Sequence, residues 1–407
     1  MLCLRTLVVS LVISTAAMAQ SSGVIVVDCS KGASLPQAVI AAQPESLISV
    51  IGTCTGAVTI IKDGLKLDGG GSAVITASNA DVVTIVGAKR VELNHITVTG
   101  GINGVVVENN GHLGMQGTTI SNNLATGLLL EANSSASIDG VLVSGNQVFG
   151  IDVEASSSLI ATHANTVTGT GVFGIQVNNG SSISLTNADV ELHQNTLGIQ
   201  LGTNAAGFLD NTSVLDASNN FADGVTIVSG AHVVNFGGQI TSSGNGIHGI
   251  SINSKAGLDM DAGSQVTVNG NAQDGLHLER ASSMTIFNNP NFSGFNGTST
   301  VHAVGNQGTG VNLQTNSGIL VSNYAALDVR QNAQGGASMD DGSSLTFTQT
   351  IQVNGVQTTI TGNSTDLLLT FGSRLTLLSN DVYGTAHCDA TVLTRGPNAP
   401  ACPMTSH

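Results

Sequence analysis

Short runs of alternating apolar and polar residues recur along this chain. Around Gly150, Ala136-Ser137-Ile138 alternates, Val141 to Ser144 alternates, Gly145-Asn146 marks a turn, and Gly150-Ile151-Asp152-Val153 alternates again. The sequence repeats this as Leu159-Ile160-Ala161, Thr166-Val167 and Gly174-Ile175-Gln176-Val177. Period-two alternation buries one face of a strand and leaves the other wet. Each repeat therefore predicts three short strands. The inward positions after the glycines are Ile151, Ile175, Ile199, Val225, Ile250, Leu276 and Val311, followed two residues on by Val153, Val177, Leu201, Ile227, Ile252, Leu278 and Leu313.

The repeat has a second marker. An asparagine stands four residues ahead of a strand-opening glycine in Asn123/Gly127, Asn146/Gly150, Asn220/Gly224, Asn245/Gly249, Asn271/Gly275, Asn306/Gly310 and Asn332/Gly336. With Gly104, Gly174 and Gly198 added, the spacings run 23, 23, 24, 24, 26, 25, 26, 35 and 26. A fixed period in this range signals stacked repeats. It is too short for a strand-helix-strand crossover and its turns, which excludes an α/β barrel. It suits a coil of three strands and three turns. The glycines are expected to permit positive φ or close backbone approach at a corner. The asparagines are expected to hydrogen-bond to the backbone and to one another along the axis. An aromatic content of only 3% fits the narrow interior.

On these residues the chain resembles the right-handed parallel β-helix, or pectin-lyase-like, superfamily. The N-terminal segment adds to the likeness. Leu35 to Ala42 reads as a short amphipathic helix, Leu47 to Ile51 as a strand, and Gly64 to Gly71 as a glycine-rich run. In that superfamily such a helix caps the first rung. The expected fold is all-β: a single-stranded right-handed parallel β-helix of 12–14 three-strand rungs, with a disulfide-tied C-terminal cap. At ~4.8 Å per rung the rod is roughly 60–65 Å long. The divisions are residues 1–19 as a signal peptide, 20–55 as cap and first strand, 56–350 as the coil, and 351–407 as irregular last rungs and cap. The register is expected to decay after Asp341. The 35-residue interval holds an insertion from Asn288 to Gly297.

The opening segment carries Arg5, an apolar run from Leu7 to Ala17, and Ala17-Met18-Ala19 as a cleavage site. Its apolar run is shorter than the ~20 residues that span a bilayer. A secreted or periplasmic monomer, without membrane insertion, is expected. Four cysteines remain after cleavage. In an exported chain they read as disulfides, and proximity favours Cys29–Cys54 and Cys388–Cys402 among three pairings.

Charge narrows the partners. The net charge is −15, and no lysine or arginine occurs between Arg90 and Lys255, an interval holding eleven carboxylates. Nucleic acid and anionic membranes need basic side chains and are excluded as partners. A polysaccharide or cell-surface glycan is the expected one.

Counting four beyond the glycines places Glu108, Glu131 and Glu154 on consecutive rungs, with Asp152 beside the last. Like charges one rung apart raise a pKa or recruit Ca²⁺ through oxygen ligands. Glu131, Glu154 and Asp152 are the catalytic candidates, and Glu108, Glu131 and Glu154 the metal candidates. His277 and Glu279, with His248 and Arg280 nearby, form a lesser acid/base set. Asp340-Asp341-Gly342 reads as a turn, and Phe292 and Phe295 as rings packed on the coil. The resemblance implies a catalytic face holding Ser137, Ile160, Ser184, Leu209, Val234, Asp259 and Thr285 outward, where only Asp259 is a carboxylate. The expected role is a non-catalytic structural, adhesive or glycan-contacting surface element. The alternative is a polysaccharide hydrolase or lyase using the outer carboxylates, with or without calcium.

Overall fold

The structure, a computed structural model, describes residues 23–288, 297–323, 325–348, 358–377, 382–389, 391–396, 399–400 and 402. The segment expected to be a signal peptide and the rings Phe292 and Phe295 lie outside the described residues. The chain winds into a parallel solenoid of two sheets. Among the described residues, sheet B takes one strand per turn and has 14 strands; sheet A takes the other two and has 26. Residues 135–153 make one turn. Ser135–Asp139 and Leu142–Ser144 lie in sheet A, and Phe149–Val153 lies in sheet B. The two sheet A legs fuse where a left-handed residue bends a continuous strand, as at His163 within Ser158–Thr168 and Asn187 within Ser182–His193.

Equal positions stack from turn to turn. Ile151 pairs with Ile175, Ile175 with Ile199, Ile199 with Val225, and so on through Ile250, Leu276 and Val311. All seven are buried in one continuous apolar core. Burying a side chain of this size is worth roughly 1.5–3 kcal/mol, so the aliphatic columns dominate the stability.

A buried asparagine ladder closes the turn before sheet B. The N–H and Nδ2 of Asn123 both donate to Asn146 Oδ1, at 3.1 and 2.9 Å. The same double donation links Asn195 to Asn220, Asn220 to Asn245, Asn245 to Asn271, Asn271 to Asn306, Asn306 to Asn332 and Asn332 to Asn363. Thr170 fills the one rung without asparagine, donating its N–H and hydroxyl to Asn195 Oδ1. The strand-opening glycines have ordinary negative φ. Close approach alone requires them: a Cβ on Gly150 would lie 2.3 Å from Val167 Cγ1 and 2.5 Å from Gly174 O.

Both coil ends are tied. Helix α1, Leu35–Ala41, starts at Ser34, whose Oγ accepts from the Gln37 N–H. It buries Leu35 and Val39 over the first turn. The Cys29–Cys54 and Cys388–Cys402 disulfides form as expected, with Cα separations of 5.2 and 5.5 Å. Parallel pairing continues past Asp341, through Ser344–Thr348 and Arg374–Leu377, to Leu393–Arg395. The long interval inserts between Ser283–Ile286 and Thr300–Val304, and both strands keep register with the turn before. Asp341 and Gly342 adopt positive φ, so Asp340-Asp341-Gly342 is a turn.

Candidate functional site

The outer face of sheet B carries the candidate chemistry. A strand that opens on a bulge at its glycine shows three outward columns: one residue before the glycine, two after, and four after. The carboxylates sit at the lower end. The N–H of Glu131 donates to Val107 O at 3.0 Å and that of Glu154 to Leu130 O at 2.9 Å, which sets Glu108, Glu131 and Glu154 one turn apart. Burial raises the Glu131 pKa, and the charges of Glu108 and Glu154 raise it further. Asp152, in the middle column between Leu129 and Gln176, is only 8% exposed. Its Oδ1 has no hydrogen-bond partner. Burial, then Glu154 and Glu131, push its pKa up to about 7. The structure thus gathers the four predicted carboxylates on one edge. Among the described residues, no basic side chain pairs with them.

Higher on the same face lies a cluster whose central residue the sequence reading missed. His277 Nδ1 bonds Asp274 Oδ2 at 2.9 Å, across the bulge at Gly275. Asp274 is buried and held by the Thr309 N–H at 2.8 Å and Asn312 Nδ2 at 2.9 Å. His248, one turn back, stacks on His277 with ring centroids 4.4 Å apart. The Asp274 N–H donates to His248 Nδ1 at 3.2 Å. These partners fix the rings. Neutral His248 carries its proton on Nε2, while neutral His277 carries its proton on Nδ1 and leaves an Nε2 lone pair. Burial opposes protonation of both. In His248 it prevails, aided by the His277 charge, and the pKa falls; in His277 the Asp274 bond overcomes it and the pKa rises. The same contacts hold the Asp274 carboxyl below its ordinary value despite burial. One ligand atom from each of His248, Asp274 and His277 lies within 4.8 Å of the others. Asp274 Oδ2 already accepts from His277 and Asn312, and His248 Nδ1 already accepts a backbone proton, so an acid/base pair suits the trio better than a metal. The sequence pairing of His277 with Glu279 is corrected accordingly: Glu279 accepts from Asn253 Nδ2.

Between these clusters the turns opened by Gly174 and Gly198 are neutral, and Asp223, one residue before Gly224, accepts from the His248 N–H at 2.9 Å. Phe149 and Phe173 stack with centroids 5.6 Å apart and planes 7° apart. In the middle column, Gln176 on the Phe173 turn donates its Nε2 to Gln200 Oε1 on the next turn at 2.9 Å. At the adjoining corner an open groove of about 630 Å³ is lined by Gln147, Thr170, Gly171, Gln194 and Phe221, among others. Phe221 is 72% exposed. The 24-residue spacing of both the phenylalanines and the glutamines equals the local glycine period, a signal present in the sequence.

The sheet A face implied by the resemblance is poorer. Leu209 is buried and Phe208 takes the outward place, because Ser184 pairs with Phe208. Asp259 is outward, with His232 Nε2 at 3.1 Å from its Oδ2.

A family model described as the right handed beta helix region matches residues 51–197. Among solved structures, the chain is similar to pectate lyase Pel9A, at 15% identity, covering 57% of this chain and 76% of that one, with a TM-score of 0.42. It is also similar to the enzymatically active domain of Bacteriophage CBA120 tailspike protein 2, at 12% identity, covering 60% of this chain and 43% of that one, with a TM-score of 0.47. No curated protein matches the chain. The fold is a right-handed parallel β-helix. Likenesses this distant carry no chemistry, because unrelated activities share the scaffold.

Proposed function

We propose that this protein is an exported, monomeric surface element that contacts a neutral or weakly charged glycan along the outer face of sheet B, without turning it over. One observation carries the reading: the Phe149/Phe173 stack stands beside the Gln176–Gln200 amide pair on successive turns. A sugar ring has an apolar C–H face and a rim of hydroxyls. Aromatic rings and amides supply the two complements, and the coil repeats them at ~4.8 Å. Phe221 extends the aromatic surface around the corner. The acidic residues at both ends of the face disfavour polyanionic glycans. The leader-like first residues and two disulfides support export. Among the described residues, no helix is long and apolar enough to cross a membrane.

The Asp274–His277–His248 cluster favours a second reading, a polysaccharide-cleaving enzyme in which His277 Nε2 takes a proton and later returns it to the leaving group, while the neutral His248 Nε2–H donates a hydrogen bond. Affinity gel electrophoresis against a panel of polysaccharides, with assays for reducing ends and unsaturated products, separates the two. The first reading expects retardation by a neutral polysaccharide with no product. Product release that disappears in His277→Gln establishes the second instead. Failure to bind any member overturns both.

A further inference from the structure

The aromatic stack and the imidazole pair border one straight track. In the middle column of sheet B the partners run Gln176, Gln200, Thr226, Ser251, His277 and Asn312 on consecutive turns, and no step shifts register. Leu129, two turns below Gln176, and Leu368, two turns above Asn312, are the nearest apolar members of the column. The track spans five spacings of ~4.8 Å, about 24 Å. Its side chains keep hydrogen-bonding capacity for a ligand. The Gln176–Gln200 bond leaves Gln176 Oε1 and Gln200 Nε2. Thr226 Oγ1 donates to Asp223 Oδ2 at 3.4 Å and retains lone pairs. Among the described residues, nothing bonds the Ser251 hydroxyl. His277 Nε2 keeps its lone pair, and Asn312 Oδ1 accepts only from Gln314 Nε2, at 3.4 Å. Thr226 and Ser251 are short and buried, so the floor dips between the amides below and His277 and Asn312 above.

We infer that the glycan on this track is a straight, β-1,4-linked chain of neutral sugars, parallel to the coil axis, with one sugar on each of these six turns. The assignment rests on the glycan-contacting reading and adds the linkage and the length. Equatorial linkages extend a pyranose chain into a ribbon that advances by close to one turn, ~4.8 Å, per sugar. Such a chain stays in phase with the column. An α-1,4-linked glucan coils and an α-1,6-linked one wanders, so either leaves the track within a few sugars. A stiff ribbon also loses little conformational freedom on binding. The lower end packs a sugar face on the Phe149/Phe173 rings, and the upper end offers hydroxyls to His277 and Asn312. Asp223, Asp274 and Glu279 beside the track disfavour uronate chains.

The test is affinity electrophoresis of the whole protein in glucomannan and hydroxyethylcellulose against soluble starch and dextran. Calorimetry follows with mannotriose and mannohexaose, or cellotriose and cellohexaose, whichever series matches the stronger polymer. The β-1,4-linked polymers are expected to retard the protein and the α-linked ones not. The hexasaccharide is expected to bind at least tenfold tighter than the trisaccharide. Thr226→Leu fills the floor at mid-track, in a column that already holds leucine at 129 and 368. It is expected to bring the hexasaccharide down to the affinity of the trisaccharide, whose own binding stays unchanged. Should Thr226→Leu not fold, Asn312→Ala serves, with at least a threefold loss for the hexasaccharide alone. Starch or dextran retarding as strongly as the β-1,4-linked polymers, equal affinity for the two oligosaccharides, or hexasaccharide affinity unchanged in the variant overturns the inference and leaves glycan contact standing. No retardation by any of the four polymers removes the glycan-contacting reading and the inference with it.

Discussion

The backbone N–H of Asn220 donates to the side-chain oxygen of Asn245 at 2.9 Å, one turn further along the coil, and both residues are buried. Asn220 Oδ1 in turn accepts the N–H of Asn195 at 3.1 Å, and its Nδ2 reaches Leu192 O at 2.9 Å. One side chain thus meets the polar needs of two turns. Asn220→Ala leaves the Asn195 N–H and the Leu192 carbonyl unpaired in a dry corner. The expected cost is roughly 2–6 kcal/mol, at 1–3 kcal/mol for each of the two orphaned groups. Urea unfolding checks it, and Asn195→Thr, the substitution that Thr170 already represents, is expected to cost less than half as much.

The corner glycines divide by physical cause. A Cβ on Gly198 would meet Gly224 O at 2.4 Å and Asn220 Nδ2 at 2.9 Å, with backbone that cannot yield. Gly198→Ala is expected to destabilise by roughly 3 kcal/mol through overpacking. Gly270 has φ +64° and open space around it. Gly270→Asn is expected to cost under about 1 kcal/mol, since asparagine tolerates that region. Thermal unfolding of both variants tests the contrast.

The two stacked imidazoles predict opposite pH dependence. The folded pKa of His277 is raised above its ordinary 6.5, because the Asp274 bond outweighs burial. Its contribution is full below the unfolded pKa and is lost as pH rises through the folded value. His277→Gln is therefore expected to destabilise more at about pH 5.5 than at about pH 8.5. Burial, with the His277 charge, holds His248 below 6.5. Its neutral ring costs stability as pH falls from the unfolded pKa through the folded one. His248→Gln is expected to be less harmful, relative to wild type, at the lower pH. Chemical unfolding at both pH values decides. Two variants that shift in the same direction contradict the assigned network.

Much of the architecture was legible because a coil writes each turn in the same way. The Ile151 and Val153 columns, the asparagine ladder, both disulfides and the capping helix follow from spacing, alternation and resemblance. The misses have two causes, variation in turn length and the bulge at the strand-opening glycine. Asn195 stands three rather than four residues before Gly198, so a fixed count overlooks it. Leu209 was assigned outward although Phe208 holds that place. Asp274 escaped notice because the bulge at Gly275 turns the residue before the glycine to the same side as His277, three positions on. Simple alternation pairs His277 with Glu279 instead. The carboxylate edge was visible as a column, but the burial of Asp152 depends on neighbouring turns and is not written in any one of them.

Glycan contact through sheet B is the claim on which the functional account stands, and one comparison of affinities tests it most directly. Phe173→Ala removes half of the stacked pair, whereas Phe208→Ala removes an exposed ring from the outward column of sheet A. Affinity electrophoresis of both variants in the polysaccharide that most retards wild type gives the ratio of dissociation constants. The account predicts at least a tenfold loss for Phe173→Ala, about 1.4 kcal/mol, and no change for Phe208→Ala. Equal retardation of wild type and Phe173→Ala, or a loss confined to Phe208→Ala, would contradict it.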